Sequence, residues 1–404
     1  MYGTTIGTVI GSNSSPILGN LSNQQSRSVT PPPQEEKLRA INYIADYGGC
    51  GHWRMLWPSH MLYATQKAFI HNSSIMIESE SYYKDLTTIR LQRQVSPRQY
   101  TFFKFLKSCR TTNQLNFIYE IDDVFIYDDI PKYNKFRSAY ADPKIKETGL
   151  KIMQECDEIT VTCNYMKEYY SQYCNNITVI PNYMPKSWSD RLYDENNLYK
   201  NYDKHVKKRR KPRVLYSASG AHFDTTGYNK YHDDFSHVNN VIRATVNDIQ
   251  WVFLGAFPMP LKDLVLSGKI EFHQWTMLPY YNQKIADLQI NVSIAPLMDN
   301  TFNRCKSDLK LIEPAAIGIP AICQDIVTYK NSPWKFSTGD DLIDQIKSLT
   351  KTRDVYIKAC RKARSIAQTR WLDDKLDLFV ELYKYPFNSP DRKQLNLLQQ
   401  DSTI

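Results

Sequence analysis

Short apolar runs alternate with longer stretches of helical spacing along most of this chain. In the first part, runs at 38–44, 74–77, 89–91, 117–119, 158–162 and 177–180 read as strands. Between them 55–69, 97–108, 145–156 and 164–173 read as helices. The second part repeats the pattern, with strands at 213–217, 251–254, 269–272, 292–297 and 321–323 and helices at 235–246 and 280–286. Parallel strands need a crossover, usually helical, so this alternation predicts two doubly wound α/β domains with a ligand cleft between them. A leader at 1–37, rich in Ser, Asn, Gly and Pro, has a composition that disfavours a core. The expected division is leader 1–37, first domain 38–185, basic connector 186–212, second domain 213–355, terminal helix 356–386 and polar tail 387–404.

At 404 residues the chain exceeds one typical core and suits two domains, and 42% hydrophobic residues suffice to fill them. No segment approaches the roughly 18 apolar residues of a membrane helix, so no span is expected. The leader lacks a basic start followed by a sustained apolar core, and a signal peptide is not expected. Eight cysteines are scattered without a C-x-x-C pair, which favours reduced thiols in a cytoplasm over disulfides or zinc. Formal charge is +9, concentrated at Lys207-Lys208-Arg209-Arg210-Lys211 with Arg213 beyond. Such a cluster contacts nucleic acid or another anionic surface, or is a solvated linker.

The densest chemistry lies at 306–320. Lys306, Lys310, Glu313 and Ile317 fall at i, i+4, i+7 and i+11, so on one helix two cations and a carboxylate share a face, with Ser307 as N-cap. At the carboxyl ends of parallel strands that face, with Asn303 before it, fits a diphosphate, and Glu313 lies two turns on for a ribose diol. The alternative is the solvated side of an amphipathic helix. Gly48-Gly49-Cys50-Gly51 departs from G-x-G-x-x-G but permits close backbone approach, as does Gly220 beside Ser219, unless Gly220 is a simple turn. Asp122 and Asp123 end an apolar run, as an acceptor base or as turn caps. His222 and His273 reach the cleft or are structural, and Arg54 and Arg93 bind an anionic substrate or form ion pairs.

Taken in order, several segments resemble GT-B glycosyltransferases of the large retaining group 1 kind. Ile294-Ala295-Pro296-Leu297, Asn300, Phe302-Asn303, Lys306-Ser307, Lys310, Glu313, Ala315-Ala316 and Gly318-Ile319-Pro320 are similar to that family's donor segment. Residues 38–44 with Asp46-Tyr47-Gly48-Gly49-Cys50-Gly51-His52-Trp53-Arg54 resemble its first strand and glycine loop, and residues 214–222 the opening of its second domain. Arg90-Leu91-Gln92-Arg93-Gln94 and Tyr119-Glu120-Ile121-Asp122-Asp123 resemble motifs of a bacterial and phage subgroup.

This resemblance implies a GT-B fold, two Rossmann-like domains facing across a cleft, with a C-terminal helix crossing back to the first. It implies transfer from a nucleotide-sugar to an acceptor hydroxyl with retention. Asp122, Asp123 and Lys310 are then catalytic. Gly49, Gly51, Ser219, Gly220, His222, Asn303, Lys306, Ser307, Lys310 and Glu313 bind donor, and His52, Arg54 and Arg93 bind acceptor. No permanent cofactor is expected, and adjacent aspartates do not make a D-x-D metal motif, although magnesium on the diphosphate stays open. The expected acceptor is hydroxymethylated bases of double-stranded phage DNA, in a host cytoplasm. A surface polysaccharide, a protein acceptor, or a catalytically silent nucleic-acid-binding scaffold are the alternatives. An NAD-dependent oxidoreductase is disfavoured, since no complete dinucleotide fingerprint follows a strand.

Three departures stand out. Cys305 occupies the place of the family's first glutamate, Pro314 interrupts the site helix, and no arginine and lysine pair follows Gly220, Lys230 being the nearest cation. Inversion with an Asp base therefore stays open.

Overall fold

Strands β1 (Leu38–Tyr43), β2 (Ala68–Ser73), β3 (Thr88–Gln92), β4 (Asn116–Glu120), β5 (Glu158–Val161) and β6 (Ile177–Val179) form one sheet in the order β2-β1-β3-β4-β5-β6. A second sheet has the order β12-β11-β10-β7-β8-β9. It comprises β7 (Arg213–Ala218), β8 (Gln250–Gly255), β9 (Glu271–Gln274), β10 (Val292–Ala295), β11 (Ala321–Gln324) and β12 (Lys335–Phe336). All pairings are parallel. The computed structural model describes residues 38–110, 114–224 and 231–401, so the expected leader at 1–37, Lys230 and the last three residues of the tail lie outside the described residues.

Burial on both faces explains why these strands read as apolar runs. In β4, Phe117 and Tyr119 enter one core while Ile118 enters another. In β8, Trp251 and Phe253 face the outer core of the second domain and Val252 and Leu254 the opposite side. That opposite side belongs to a continuous core running from Ala40 through Leu254 and Ile312 to Leu395, which joins both domains. Each large side chain so buried contributes about 2–3 kcal/mol.

Boundaries differ from expectation where local hydrogen bonds decide them. The helix expected over 55–69 ends at Ala64, because Gln66 is left-handed (φ 60°) and the Lys67 amide donates to Leu62 O at 3.0 Å. The edge strand β2 begins at once, displacing the strand expected at 74–77. The helix expected from 235 starts at Asn239, after a turn in which Asp233 accepts from Phe235 N (2.9 Å) and Ser236 Oγ (3.0 Å). Within 186–212 the chain is helical over Lys186–Ser189, Glu195–Asn201 and Tyr202–Lys208, with Leu198 and Tyr202 buried against Tyr356 and Ile357.

Beyond helix Arg353–Gln368 the chain returns to the first domain at Trp371, which bridges Met184: Met184 N donates to Arg370 O (2.9 Å) and Leu372 N to Met184 O (2.7 Å). Helix Leu376–Lys384 then packs on β1, with Tyr383 OH donating to Asn42 Oδ1 at 2.7 Å. The stretch expected as a loose tail holds helix Lys393–Asp401, because Leu395 and Arg392 are buried and Arg392 pairs with Glu158 at 2.7 Å. Gln399 exchanges two 3.0 Å hydrogen bonds with the backbone of Val179 and so covers the edge of β6. Among the described residues no helix is long and apolar enough to cross a membrane, and all eight cysteines are free thiols.

Arg54 corrects one expectation. The segment His52–Leu56 turns it inward, where it is 2% exposed, rather than toward an acceptor. Its guanidinium donates to Glu120 Oε1 (2.5 Å) and Ile180 O (2.5 Å), while Arg90 pairs with the other oxygen of Glu120. Burial alone would raise the Glu120 carboxyl, but Arg54 and Arg90 hold it below the ordinary range. Glu120→Ala leaves two buried cations unpaired and is expected to destabilise the protein by roughly 3–5 kcal/mol, measured by urea unfolding.

Candidate active site

In an open parallel sheet, ligands bind at the carboxyl ends of the strands where the order reverses. That point lies between β1 and β3 in the first sheet and between β7 and β10 in the second. The loops leaving those strands carry most of the residues singled out in the sequence, and they meet: Lys306 Nζ is 3.8 Å from Asp123 Oδ2, and Asn182 Nδ2 donates to Ser307 Oγ at 3.0 Å.

On the first wall, Asp46 Oδ1 accepts from Gly48 N (2.8 Å) and Gly51 N (3.3 Å), and Oδ2 pairs with Arg93 (2.6 Å). A Cβ on Gly51 would sit 1.8 Å from Asp46 O, so closure of this loop itself demands glycine there. Gly49 has open space around it, and the His52 ring bonds Gly48 O at 2.8 Å. Arg93 Nε lies 3.1 Å from Asp122 Oδ1, which removes Asp122 into a nearly buried ion pair. Asp123 differs: its side chain is 30% exposed and turned toward Lys306, and burial raises its carboxyl although Lys306 opposes the shift. A raised, accessible carboxylate suits proton acceptance better than the paired one.

On the second wall the expected single helix is split. Asn300 caps the turn Thr301–Arg304 by accepting from Asn303 N (2.9 Å), and helix Leu309–Ala315 follows. Ser307 is not its cap, since its hydroxyl is held by Asn182, and Asp308 at the cap position is paired with Arg370. Lys306 therefore precedes the helix, with its ammonium 4.5 Å above the Phe302 ring, while Lys310 and Glu313 share a face. Lys310 Nζ donates to Ser217 O at 2.7 Å. Burial lowers the Lys310 ammonium and raises the Glu313 carboxyl, each partly opposed by the other. Beside Glu313, the buried Tyr281 hydroxyl donates to Ser217 Oγ at 2.7 Å.

Asp234 ties these pieces together and carried no sequence signal, since a carboxylate's burial is a property of the assembled fold. Fully buried, it accepts from His222 Nδ1 (2.6 Å), Tyr133 OH (2.7 Å), Asn303 Nδ2 (2.8 Å) and Met298 N (2.9 Å). A carboxylate can only accept, so His222 Nδ1 carries the proton and Nε2 is left as an acceptor. Burial, reinforced by Lys310, lowers the His222 pKa to about 4. Ser219 Oγ accepts from Ala221 N at 3.3 Å and shapes the loop holding Gly220.

Two expected participants lie elsewhere. His273 is bound to Glu271 (2.7 Å) on β9, at the sheet edge. Lys207, Lys208, Arg209 and Arg210 are exposed, but they precede β7 and so lie at its amino end, roughly 20 Å from the cleft at about 3.3 Å per residue. Trp275, at the carboxyl end of β9, was missed. It is 51% exposed, tilted on Tyr281 at 5.9 Å, and lies over Gly255, where a φ of +101° and a would-be Cβ only 2.6 Å from Ala218 O exclude a side chain. Among the described residues no set of three His, Cys, Asp or Glu side chains converges as metal ligands.

No protein-family model and no curated protein matches this sequence. Solved structures do match in shape. Sucrose-phosphate synthase from Thermosynechococcus elongatus aligns with a TM-score of 0.58 at 12% identity, over 86% of this chain and 99% of that one. The apo structure of OtsA gives 0.52 at 9% identity, again over 86% and 99%. The catalytic domain of starch synthase IV from Arabidopsis thaliana, bound to ADP and acarbose, gives 0.50 at 9% identity over 75% of this chain and 73% of that one. The fold is GT-B. At these identities the likeness is one of architecture, and within the GT-B frame the loops just described occupy the gap between the domains.

The lowered His222 pKa has a definite sign. Its folded value lies below the ordinary 6.5, so the unfolded chain takes up the proton first and this contribution to stability declines as pH falls from 6.5 to about 4. The stability advantage of the wild type over His222→Asn is expected to shrink by about 3 kcal/mol across that window, read by urea unfolding at stepped pH.

Proposed function

We propose that the protein is a glycosyltransferase moving a sugar from a nucleotide-sugar donor to an acceptor hydroxyl. The observation that carries this reading is the Lys310 and Glu313 pair, set beside the β7 loop on the same wall as Lys306, which faces Asp123 across the switch points of two facing sheets. As the bond from the anomeric carbon to the phosphate oxygen breaks, its electron pair goes to the phosphate. Lys306, Lys310 and the Ser219 and Gly220 amides offset that charge. Glu313 accepts from the ribose diol, and Trp275 offers a face on which the nucleobase stacks. Starch synthase IV, which shares the fold, was solved with ADP, and this supports a nucleotide as ligand.

Retention follows from the resemblance in sequence, the acceptor proton leaving with the departing phosphate. Inversion would instead deliver that proton to Asp123, whose raised carboxyl supports the role. The proposed acceptor is hydroxymethylated DNA, supported by the net charge of +9 and the similarity to phage proteins. A duplex engaged at both the cleft and Lys207 to Arg210 must span roughly 20 Å, or about six base pairs at 3.4 Å each.

The test is a panel of sugar nucleotides with modified and unmodified DNA, polysaccharide and protein acceptors, read by nucleoside diphosphate release and intact mass of the acceptor. Absence of binding and cleavage with every donor overturns the transferase reading in favour of a silent scaffold. Glu313→Ala is expected to raise the donor KM by about 10–100-fold, and Lys310→Met to lower kcat by about 10²–10³-fold, both from steady-state kinetics. Neutralising Lys207 to Arg210 is expected to raise the KM for long duplexes and to leave duplexes under about six base pairs unchanged, measured against salt concentration.

A further inference from the structure

The donor side of the cleft is close to neutral when only the cations of its own domain are counted. Lys306 is faced by Asp123 at 3.8 Å, Lys310 is half-buried beside Glu313, and His222 is held neutral. A nucleoside diphosphate brings several negative charges to such a place, and binding it needs a surplus of positive charge.

The surplus comes from across the gap. Lys135 belongs to the first domain, on the segment after β4, yet its side chain runs along Gly220 of the second. A Cβ built on Gly220 would lie 3.4 Å from Lys135 Nζ, 3.5 Å from Cδ and 3.6 Å from Cε. Among the described residues Lys135 forms no ion pair, and its ammonium rests 4.9 Å from the Phe136 ring. Its position is built rather than incidental. Two residues earlier Tyr133 is buried, donating to Asp234 Oδ1 at 2.7 Å and accepting from Asn303 Nδ2 at 2.9 Å. Behind it Arg137 closes the turn through Ile130 O (2.9 Å) and Tyr127 OH (2.7 Å). The segment is thus pinned at both ends with Lys135 between the pins.

We infer that Lys135 is a donor-phosphate ligand supplied by the opposite domain, gripping the diphosphate over Gly220. This rests on the nucleotide-sugar reading above and adds to it: the phosphate seat is complete only when the domains stand as they do here. Bound diphosphate then bridges the two walls, whereas a nucleoside without phosphates has no use for this lysine.

The experiment is calorimetric titration of UDP, ADP, GDP and dTDP, and of the matching nucleosides, into the full chain as wild type, Lys135→Met, Lys135→Arg and Tyr133→Phe. For whichever diphosphate the wild type binds, Lys135→Met is expected to weaken affinity by about tenfold or more and to flatten its salt dependence. Lys135→Arg should stay within about threefold, nucleoside affinity should not change, and Tyr133→Phe should fall between the two. Equal diphosphate affinity in wild type and Lys135→Met, or an equal loss for nucleosides, overturns the inference and leaves the donor reading standing. A folded wild type that binds none of the four diphosphates overturns both.

Discussion

Asp234 is wholly removed from water and still charged, because donors from four stretches of chain converge on its two oxygens. Desolvating a carboxylate costs several kcal/mol, and hydrogen bonds from His222, Met298 N and Tyr133 overcome that burial and keep its carboxyl below the ordinary range. Each donor positions something else. His222 sets the β7 loop, Met298 the β10 loop, Asn303 the turn before the site helix, and Tyr133 the segment reaching over from the first domain. Moving any one of them leaves a buried charge short of a partner, so the two walls of the cleft are not independent.

The sequence motifs of the first domain divide into support and chemistry. Arg90 and Glu120 belong to a buried cluster with Arg54, Gln92 Oε1 accepts from Ala45 N at 3.1 Å, and Arg93 links Asp46 to Asp122. These contacts fix the ends of β1, β3 and β4 against one another. Asp123 alone of the group is left facing the gap. A charged motif at a strand end thus reads as a site in sequence, while most of its members hold the site rather than form it.

Sheet and helix alternation was legible because burial on both faces forces continuous apolar runs, as at 117–119 and 251–254. The placement of Lys306, Lys310 and Glu313 was legible in outline, but not the break at 305–308. That break arises from Asn182 taking the Ser307 hydroxyl and Arg370 taking Asp308, contacts between residues far apart in sequence. The same limit hid Asp234, Tyr133 and Lys135, whose meaning lies in what they meet. Composition misled at 387–404, where a polar helix is fastened by the Arg392–Glu158 ion pair, the buried Leu395 and hydrogen bonds between Gln399 and Val179 and from Gln394 N and Leu395 N to Glu381.

The return of the chain through Trp371 has a consequence for how the molecule is made. Helix Leu376–Lys384 lies on β1 and helix Lys393–Asp401 borders β6, so the first domain is assembled from the two extremes of the described chain. During synthesis its leading sheet emerges with one flank uncovered and a strand border open. Completion waits until the whole second domain has been translated, which makes helices made after that domain the fasteners of the sheet made before it.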